Sequence, residues 1–201
     1  MEDDKYLNSW KDNKVVFEKQ LELNLKQLKN NYPRHWNISI DFLKKIEFSS
    51  ILDICCGVGS LYRLINDNFN GKYYVGIDYS EIALSLAKKT WNYEEFYLKN
   101  IYDLNEEYTK KFDVIYASGI IDMLPDESLI DRLLKLNNKY AIFSRIHIIP
   151  EKSYYETYMA YGEIPTYKYY INQNVFEKTI KENNYNIVEI NDENYLLKRN
   201  K

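Results

Sequence analysis

Five short apolar runs alternate with amphipathic stretches of helical length along the middle of the chain, and this rhythm restricts the fold more than any other property. The runs are Ile51–Cys55, Tyr73–Ile77, Phe96–Lys99, Phe112–Ala117 and Tyr140–Ile146. Between them lie Ser60–Asn70, Ser80–Lys89 and Asp126–Leu136, the last with Leu129, Ile130, Leu133 and Leu134 on one face. Strands separated by helices return in parallel, so the pattern predicts a parallel sheet covered on both sides. The end of the chain departs from it. After a helix near Asn174–Glu182, the runs Asn186–Ile190 and Tyr195–Lys198 are separated only by a short polar turn. That link is too short for a parallel crossover, so the two runs form an antiparallel hairpin and bring the strand count to seven. The predicted class is α/β, a doubly wound seven-stranded sheet, mostly parallel, with helices on both faces and a C-terminal antiparallel hairpin.

The ends of the elements carry their own signals. Phe17, Leu21, Leu25 and Leu28 form one apolar stripe of a first helix, which Pro33 is expected to end. A shorter helix, Ile38–Ile46, leads into the first strand. Ser80 is placed to cap the helix it begins, and Gly71 to cap the end of Ser60–Asn70. Residues 1–48 therefore read as a helical cap and 49–201 as the α/β domain. Tyr6 and Trp10, one helical turn apart, are candidates for closing a site from the N-terminal side.

Composition excludes several partners. With 27 Lys and Arg against 30 Asp and Glu, the net charge of −3 offers no general attraction to nucleic acid or an anionic membrane. No apolar run approaches a membrane span of roughly 18 residues, and the acidic start MEDDKY lacks the regions of a signal peptide. The two cysteines, Cys55 and Cys56, are adjacent and make a poor staple, so a reducing cytoplasm is expected. His35 and His147 lie far apart with no ligand spacing, and no metal site is expected. Abundant Tyr, Asn and Lys point to an AT-rich, bacterial coding sequence, so a tyrosine here is not functional by default.

The first strand runs into a glycine turn, Asp53-Ile54-Cys55-Cys56-Gly57-Val58-Gly59, where open α/β sheets bind ligands. A dinucleotide fingerprint would need a third glycine at position 62, which is Tyr62, and no P-loop Gly-Lys-Ser/Thr follows. The second strand ends at Asp78, 19 residues after Gly59, where a carboxylate can accept bonds from both hydroxyls of a ribose. An acidic strand end, a two-glycine turn and a second acidic strand end together suit a nucleoside cofactor that is not a dinucleotide.

From Ser50 onward the chain resembles the class I S-adenosylmethionine-dependent methyltransferases, through LDICCGVG, VGIDYS, LKNIYDL and FDVIYASGIIDMLPDE. The resemblance implies a Rossmann-like fold with this terminal hairpin and S-adenosylmethionine as cofactor. It places Asp53 near the methionine amino group, Cys55 and the backbone of Gly57 and Gly59 against the cofactor, Asp78 on the ribose and Tyr79 beside the adenine. Where the family usually has an aspartate on the adenine amino group this chain has Asn100, with Ile101 beside it; the amide oxygen can accept the same bond. Asp103 reads as a loop residue. Ala117, Ser118 and Gly119 would lie near the methyl group. Cys55 reads as a buried strand residue and Cys56 as a small turn residue, neither as a nucleophile.

The acceptor is read mostly by exclusion. The loop after the fourth strand is ASGIID, not the Asn/Asp-Pro-Pro-Tyr/Phe of nucleobase amino methylation, and no Pro-Cys element serves cytosine carbon. Residues 147–171 form an unusually long connection with seven tyrosines between Glu151 and Tyr170, read as a lid whose rings supply apolar walls and hydroxyls. Candidate acceptor contacts are Arg145, Tyr154, Tyr158 and Tyr161. Asp122 and His147 are the candidate bases. ASGIIDMLPD followed by SRIHIIP looks like a group of bacterial methyltransferases, some associated with surface-polysaccharide genes. That implies a small-molecule acceptor, O-methylated on a sugar or phosphorylated saccharide precursor. A catalytically silent cofactor-binding subunit and a nicotinamide oxidoreductase remain alternatives, the latter disfavoured by Tyr62 and the antiparallel ending.

Overall fold

Two helices precede the sheet. α1 (Lys14–Lys29) starts at Asn13, whose side-chain oxygen accepts the Val16 N–H at 3.2 Å. It ends before Pro33, which instead stands at the entrance of α2 (Arg34–Lys44), where its fixed φ and missing N–H cost nothing. The structure, a computed structural model, describes residues 9–124 and 126–200; Tyr6 lies outside the described residues. No helix among the described residues is long and apolar enough to cross a membrane.

The alternation follows as β1 (Ser50–Ile54), α3 (Ser60–Asn68), β2 (Tyr73–Asp78), α4 (Glu81–Trp91), β3 (Phe96–Leu98), a 3₁₀ turn (Ile101–Asp103), α5 (Glu106–Thr109), β4 (Val114–Ser118), α6 (Ser128–Leu134) and β5 (Tyr140–Ser144). Then come β6 (His147–Ile149), β7 (Tyr154–Ala160), β8 (Ile164–Asn172), α7 (Gln173–Glu182), β9 (Tyr185–Asn191) and β10 (Asn194–Arg199). The main sheet has seven strands in the order β3-β2-β1-β4-β5-β10-β9, with β10 antiparallel to both its neighbours. Strand order reverses between β1 and β4, which places the switch point beside the glycine turn.

Ser80 caps α4 as expected, accepting the Ala83 N–H. Gly71 does not cap α3: the helix closes with the Phe69 N–H on the Ile65 carbonyl, and Gly71, at φ +67, turns the chain toward β2.

Among the described residues there are ten strands rather than seven. The tyrosine-rich connection, expected as a lid, is built as regular structure: β6, β8 and β7 form a second sheet in that order. Its signal was hidden because β7 is an edge strand exposed from Tyr154 to Met159, so no apolar alternation marks a buried face.

The two faces of the main sheet carry separate cores. Leu52, Val75, Ile115 and Phe143 pack with Leu133 of α6 and Phe176 of α7. Ile51, Tyr74, Val114 and Ile142 pack on the opposite side with Phe42 of α2, Leu64 of α3 and Leu84 of α4. Successive strand residues alternate between these clusters, as the two-residue strand period requires.

Gly59 joins the second core to the glycine turn. At φ +72, a Cβ there would lie 2.5 Å from the Phe96 ring. Gly59→Ala should therefore cost about 2–3 kcal/mol, from a left-handed alanine plus a displaced aromatic ring. Urea unfolding measures it; a loss below about 0.5 kcal/mol would show that the turn relaxes freely.

Candidate active site

Beyond Ile54 the chain reverses through Cys55-Cys56-Gly57-Val58-Gly59 into α3. Cys55, Gly57 and Gly59 all have positive φ, at +58, +53 and +72. Cys55 is thus a turn residue, not the buried strand residue expected, and its left-handed backbone is held by the bonds around it. The Cys56 N–H donates to the Ile77 carbonyl at 2.9 Å, and Trp91 Nε1–H to the Val58 carbonyl at 2.7 Å. The Gly57 N–H donates to Asp78 Oδ2 at 2.8 Å.

Asp78 is buried at the end of β2. Its Oδ1 accepts the Ser80 N–H at 3.0 Å. Burial raises its carboxyl above the usual range, while backbone N–H groups of Ser80, Gly57 and Tyr79 oppose the rise. A carboxylate has about four lone-pair sites, so acceptor capacity remains beyond these bonds.

A cavity of about 250 Å³ opens at this place. Its floor is Cys55, Gly57, Asp78 and Tyr79 on one side of the switch point and Ser118, Gly119 and Arg145 on the other. Phe17 and Gln20 of α1, with Trp10, wall it from the N-terminal side; Tyr158, Ala160 and Tyr161 wall it from the second sheet. Trp10, Val16, Ala160 and Ile164 pack together, so the two walls meet. Lys19 Nζ bonds Glu163 Oε1 at 2.5 Å across the same junction, where both side chains are too exposed for the pair to contribute much.

The side of the cavity formed by Arg145 is polar. Arg145, at φ +65, brings its Nη2 to 3.7 Å from Asp122 Oδ2. The Asp122 side chain is only 3% exposed, and its Oδ1 has no hydrogen-bond partner among the described residues. Burial raises the Asp122 carboxyl above the ordinary range, against the pull of Arg145 and His147. Burial, then Asp122, also raises the Tyr158 hydroxyl, which Arg145 pulls the other way. His35, at the start of α2 and outside the cavity wall, is pushed down to about 4 by burial and then by Arg145. It is neutral at pH 7.

Of the residues expected at the cofactor, the cavity walls include Cys55, Gly57, Asp78, Tyr79 and Ser118. Five others lie elsewhere. Asp53 is buried beneath the sheet surface and accepts the Tyr74 hydroxyl at 2.7 Å. Gly59 faces Phe96 and Ala87. Asn100 is exposed and uses its Oδ1 to cap the Tyr102 N–H, while Ile101 and Ala117 belong to the core. Of the expected acceptor residues, Arg145, Tyr158 and Tyr161 reach the cavity. His147 does not: its Nδ1 pairs with Glu193 Oε1 at 2.6 Å and its ring leans on Tyr170. Tyr154 stacks on the outer side of Tyr170 and is half exposed.

Gln20, Met123 and Leu124 were not anticipated. The signal for Gln20 was present, since Gln20 and Asn24 interrupt the apolar stripe of α1 one turn apart. A polar group on a packing face is the informative exception. Asn24 Nδ2 donates to Ser60 Oγ at 2.7 Å, and Gln20 lies against Gly57.

Residues 47–192 match the model of a family described as a methyltransferase domain. The chain belongs to this methyltransferase family. The methyltransferase also shares its fold with solved structures at low identity. One is an S-adenosylmethionine-dependent methyltransferase from Clostridium acetobutylicum, 17% identical, with a TM-score of 0.64 over 92% of this chain and 99% of that one. Another is magnesium protoporphyrin IX methyltransferase from Synechocystis with bound S-adenosylmethionine, 16% identical, TM-score 0.59, over 92% and 84% of the two chains. A third is the sugar N-methyltransferase KedS8 from Streptoalloteichus, 9% identical, TM-score 0.64, over 90% and 93%. No curated protein matches the sequence.

Asp53 gives the methyltransferase a measurable pH signature. Burial lifts its carboxyl from 3.8 to about 7, the Tyr74 bond opposes this and Asp78 adds to it. The folded state therefore holds a proton that the unfolded chain releases, and the associated stability is lost as pH rises through this window. Asp53→Asn cannot ionise. Its stability relative to wild type should rise by about 2 kcal/mol between pH 5 and pH 8 in urea titrations, and a constant difference would refute the assignment.

Proposed function

We propose that the protein transfers a methyl group from S-adenosylmethionine to a polar small molecule, by O-methylation of a sugar or a phosphorylated saccharide precursor. The observation that carries this reading is one cavity with two chemically different ends. At one end, Asp78 and the Gly57 turn offer a buried acceptor for a ribose diol; at the other, Arg145 and Tyr158 line the wall, with the buried Asp122 carboxylate 3.7 Å from Arg145.

Methyl transfer from a sulfonium is an in-line displacement, so the protein acts chiefly by alignment and exclusion of water. Tyr79 borders the nucleoside end, and the wall from Trp10 to Gln20 closes the cofactor half of the cavity. Tyr158 and Tyr161 supply aromatic surface with hydroxyls, a combination that suits the apolar faces and polar edges of a saccharide. Arg145 can pair bidentately with a phosphate, or with a carboxylate, on the acceptor. A sugar hydroxyl also needs its proton removed as the new bond forms. Asp122 fits this role better than His147, because its raised carboxyl is a stronger base than an ordinary aspartate and its Oδ1 is unengaged. The name of KedS8 as a sugar N-methyltransferase supports the acceptor class.

Turnover of radiolabelled S-adenosylmethionine against a panel of free sugars, sugar phosphates and nucleotide sugars tests the proposal; label confined to proteins or nucleic acids would defeat it. Asp122→Asn should lower kcat on a hydroxyl acceptor by about 10²–10⁴ while leaving cofactor affinity within twofold. Undiminished turnover would remove Asp122 as base. Asp78→Ala should weaken S-adenosylhomocysteine binding by about 1.5–3 kcal/mol in calorimetry, and unchanged affinity would detach β2 from the cofactor.

A further inference from the structure

We infer that Gln20 is a cofactor-recognition residue whose side-chain oxygen accepts a hydrogen bond from the α-ammonium group of the methionine arm. This rests on the S-adenosylmethionine reading above.

The amide of Gln20 is held on the glycine turn. A Cβ built on Gly57 would lie 2.8 Å from Gln20 Oε1 and 3.3 Å from Nε2, so the amide lies flat against a backbone that only glycine leaves open. Tyr161 stands beside it in the cavity wall, and its hydroxyl, raised by burial, is pulled the other way by the Gln20 side chain. Oε1 is buried and has no partner among the described residues. A buried carbonyl oxygen without a donor costs about 1–3 kcal/mol, and Gln20 lines the cavity, so a ligand there can supply the donor.

The chemistry of the ligand decides which part of it does so. Beyond a ribose held by Asp78, the methionine arm ends in a carboxylate, which only accepts, and an ammonium, which only donates. A carbonyl oxygen pairs with the second. The Gly57 N–H cannot compete for the arm, being spent on Asp78, and Asp53, the acid nearest in sequence, is spent on Tyr74 away from the cavity wall.

Binding of S-adenosylhomocysteine and of 5′-methylthioadenosine, the same thioether nucleoside without the amino-acid arm, separates this role from simple packing. For Gln20→Leu, which keeps the bulk of the side chain, S-adenosylhomocysteine should bind about tenfold more weakly and 5′-methylthioadenosine within twofold of wild type. Gln20→Glu, which keeps an acceptor and adds charge, should retain or exceed wild-type affinity for S-adenosylhomocysteine. Equal losses for both ligands, or no loss for either, would overturn the assignment to the ammonium. If wild type binds neither nucleoside, the cofactor reading fails, and this inference with it.

Discussion

The bond from the Gly57 N–H to the Asp78 carboxylate ties the end of β1 to the end of β2, and the site is built outward from it. A carboxylate as buried as Asp78 is costly unless donors surround it, and here they are backbone N–H groups of the turn and of the helix that follows β2. The same bonds hold Cys55, Gly57 and Gly59 in left-handed conformations that an isolated chain would not keep. Because these donors belong to the backbone, their positions are set by the sheet register that pairs Asp53 with Gly76 and Ile54 with Ile77. Cavity shape is thus inherited from strand pairing.

Around that floor, the molecule leaves its polar groups unevenly satisfied. In the core, Asp53 has Tyr74 and Ser144 bonds Asn194, while Asn138 Oδ1 and the Tyr169 hydroxyl lack partners among the described residues. At or beside the cavity, Trp10 Nε1, Gln20 Oε1 and Asp122 Oδ1 lack partners among the described residues. Buried polar groups are normally paired, so Trp10 Nε1 and Gln20 Oε1, both in the cavity wall, mark where a ligand can contribute. The two walls of the cavity come from opposite ends of the sequence and meet through Trp10 and Tyr161, whose rings pack edge to face.

Legibility differed by the kind of burial. Each strand of the main sheet was visible in the sequence to within a few residues: the central strands because a strand covered on both faces is apolar throughout, and the edge strands β3 and β9 because short turns or helical stretches bound them. The antiparallel ending was visible too, because chain length alone forbids a crossover between β9 and β10. The second sheet was not, as its edge strand buries almost nothing. Pro33 and Gly71 were read as stops, yet each serves the element that comes after it, since a proline or glycine marks a boundary without stating which side it belongs to. Among site residues, Asp78 and Gly57 could be placed because both sit at strand ends beside the switch point. His147 could not be judged: whether a histidine faces a ligand or a carboxylate depends on Glu193, 46 residues away at the start of β10.

The order of apolar and polar residues by itself determined a doubly wound α/β sheet, its hairpin ending and the strand ends at which a nucleoside could be held, because those follow from periodicity and chain reach. Only the tertiary structure decided which side chains share the cavity. It turned Asp53 to Tyr74 and Asn100 to solvent, and it brought Gln20, Arg145 and Tyr158 to one cavity from three separate segments, with Asp122 against Arg145. The reason is physical: a side chain's partners are fixed by packing between elements distant in sequence, and local pattern carries no record of that distance.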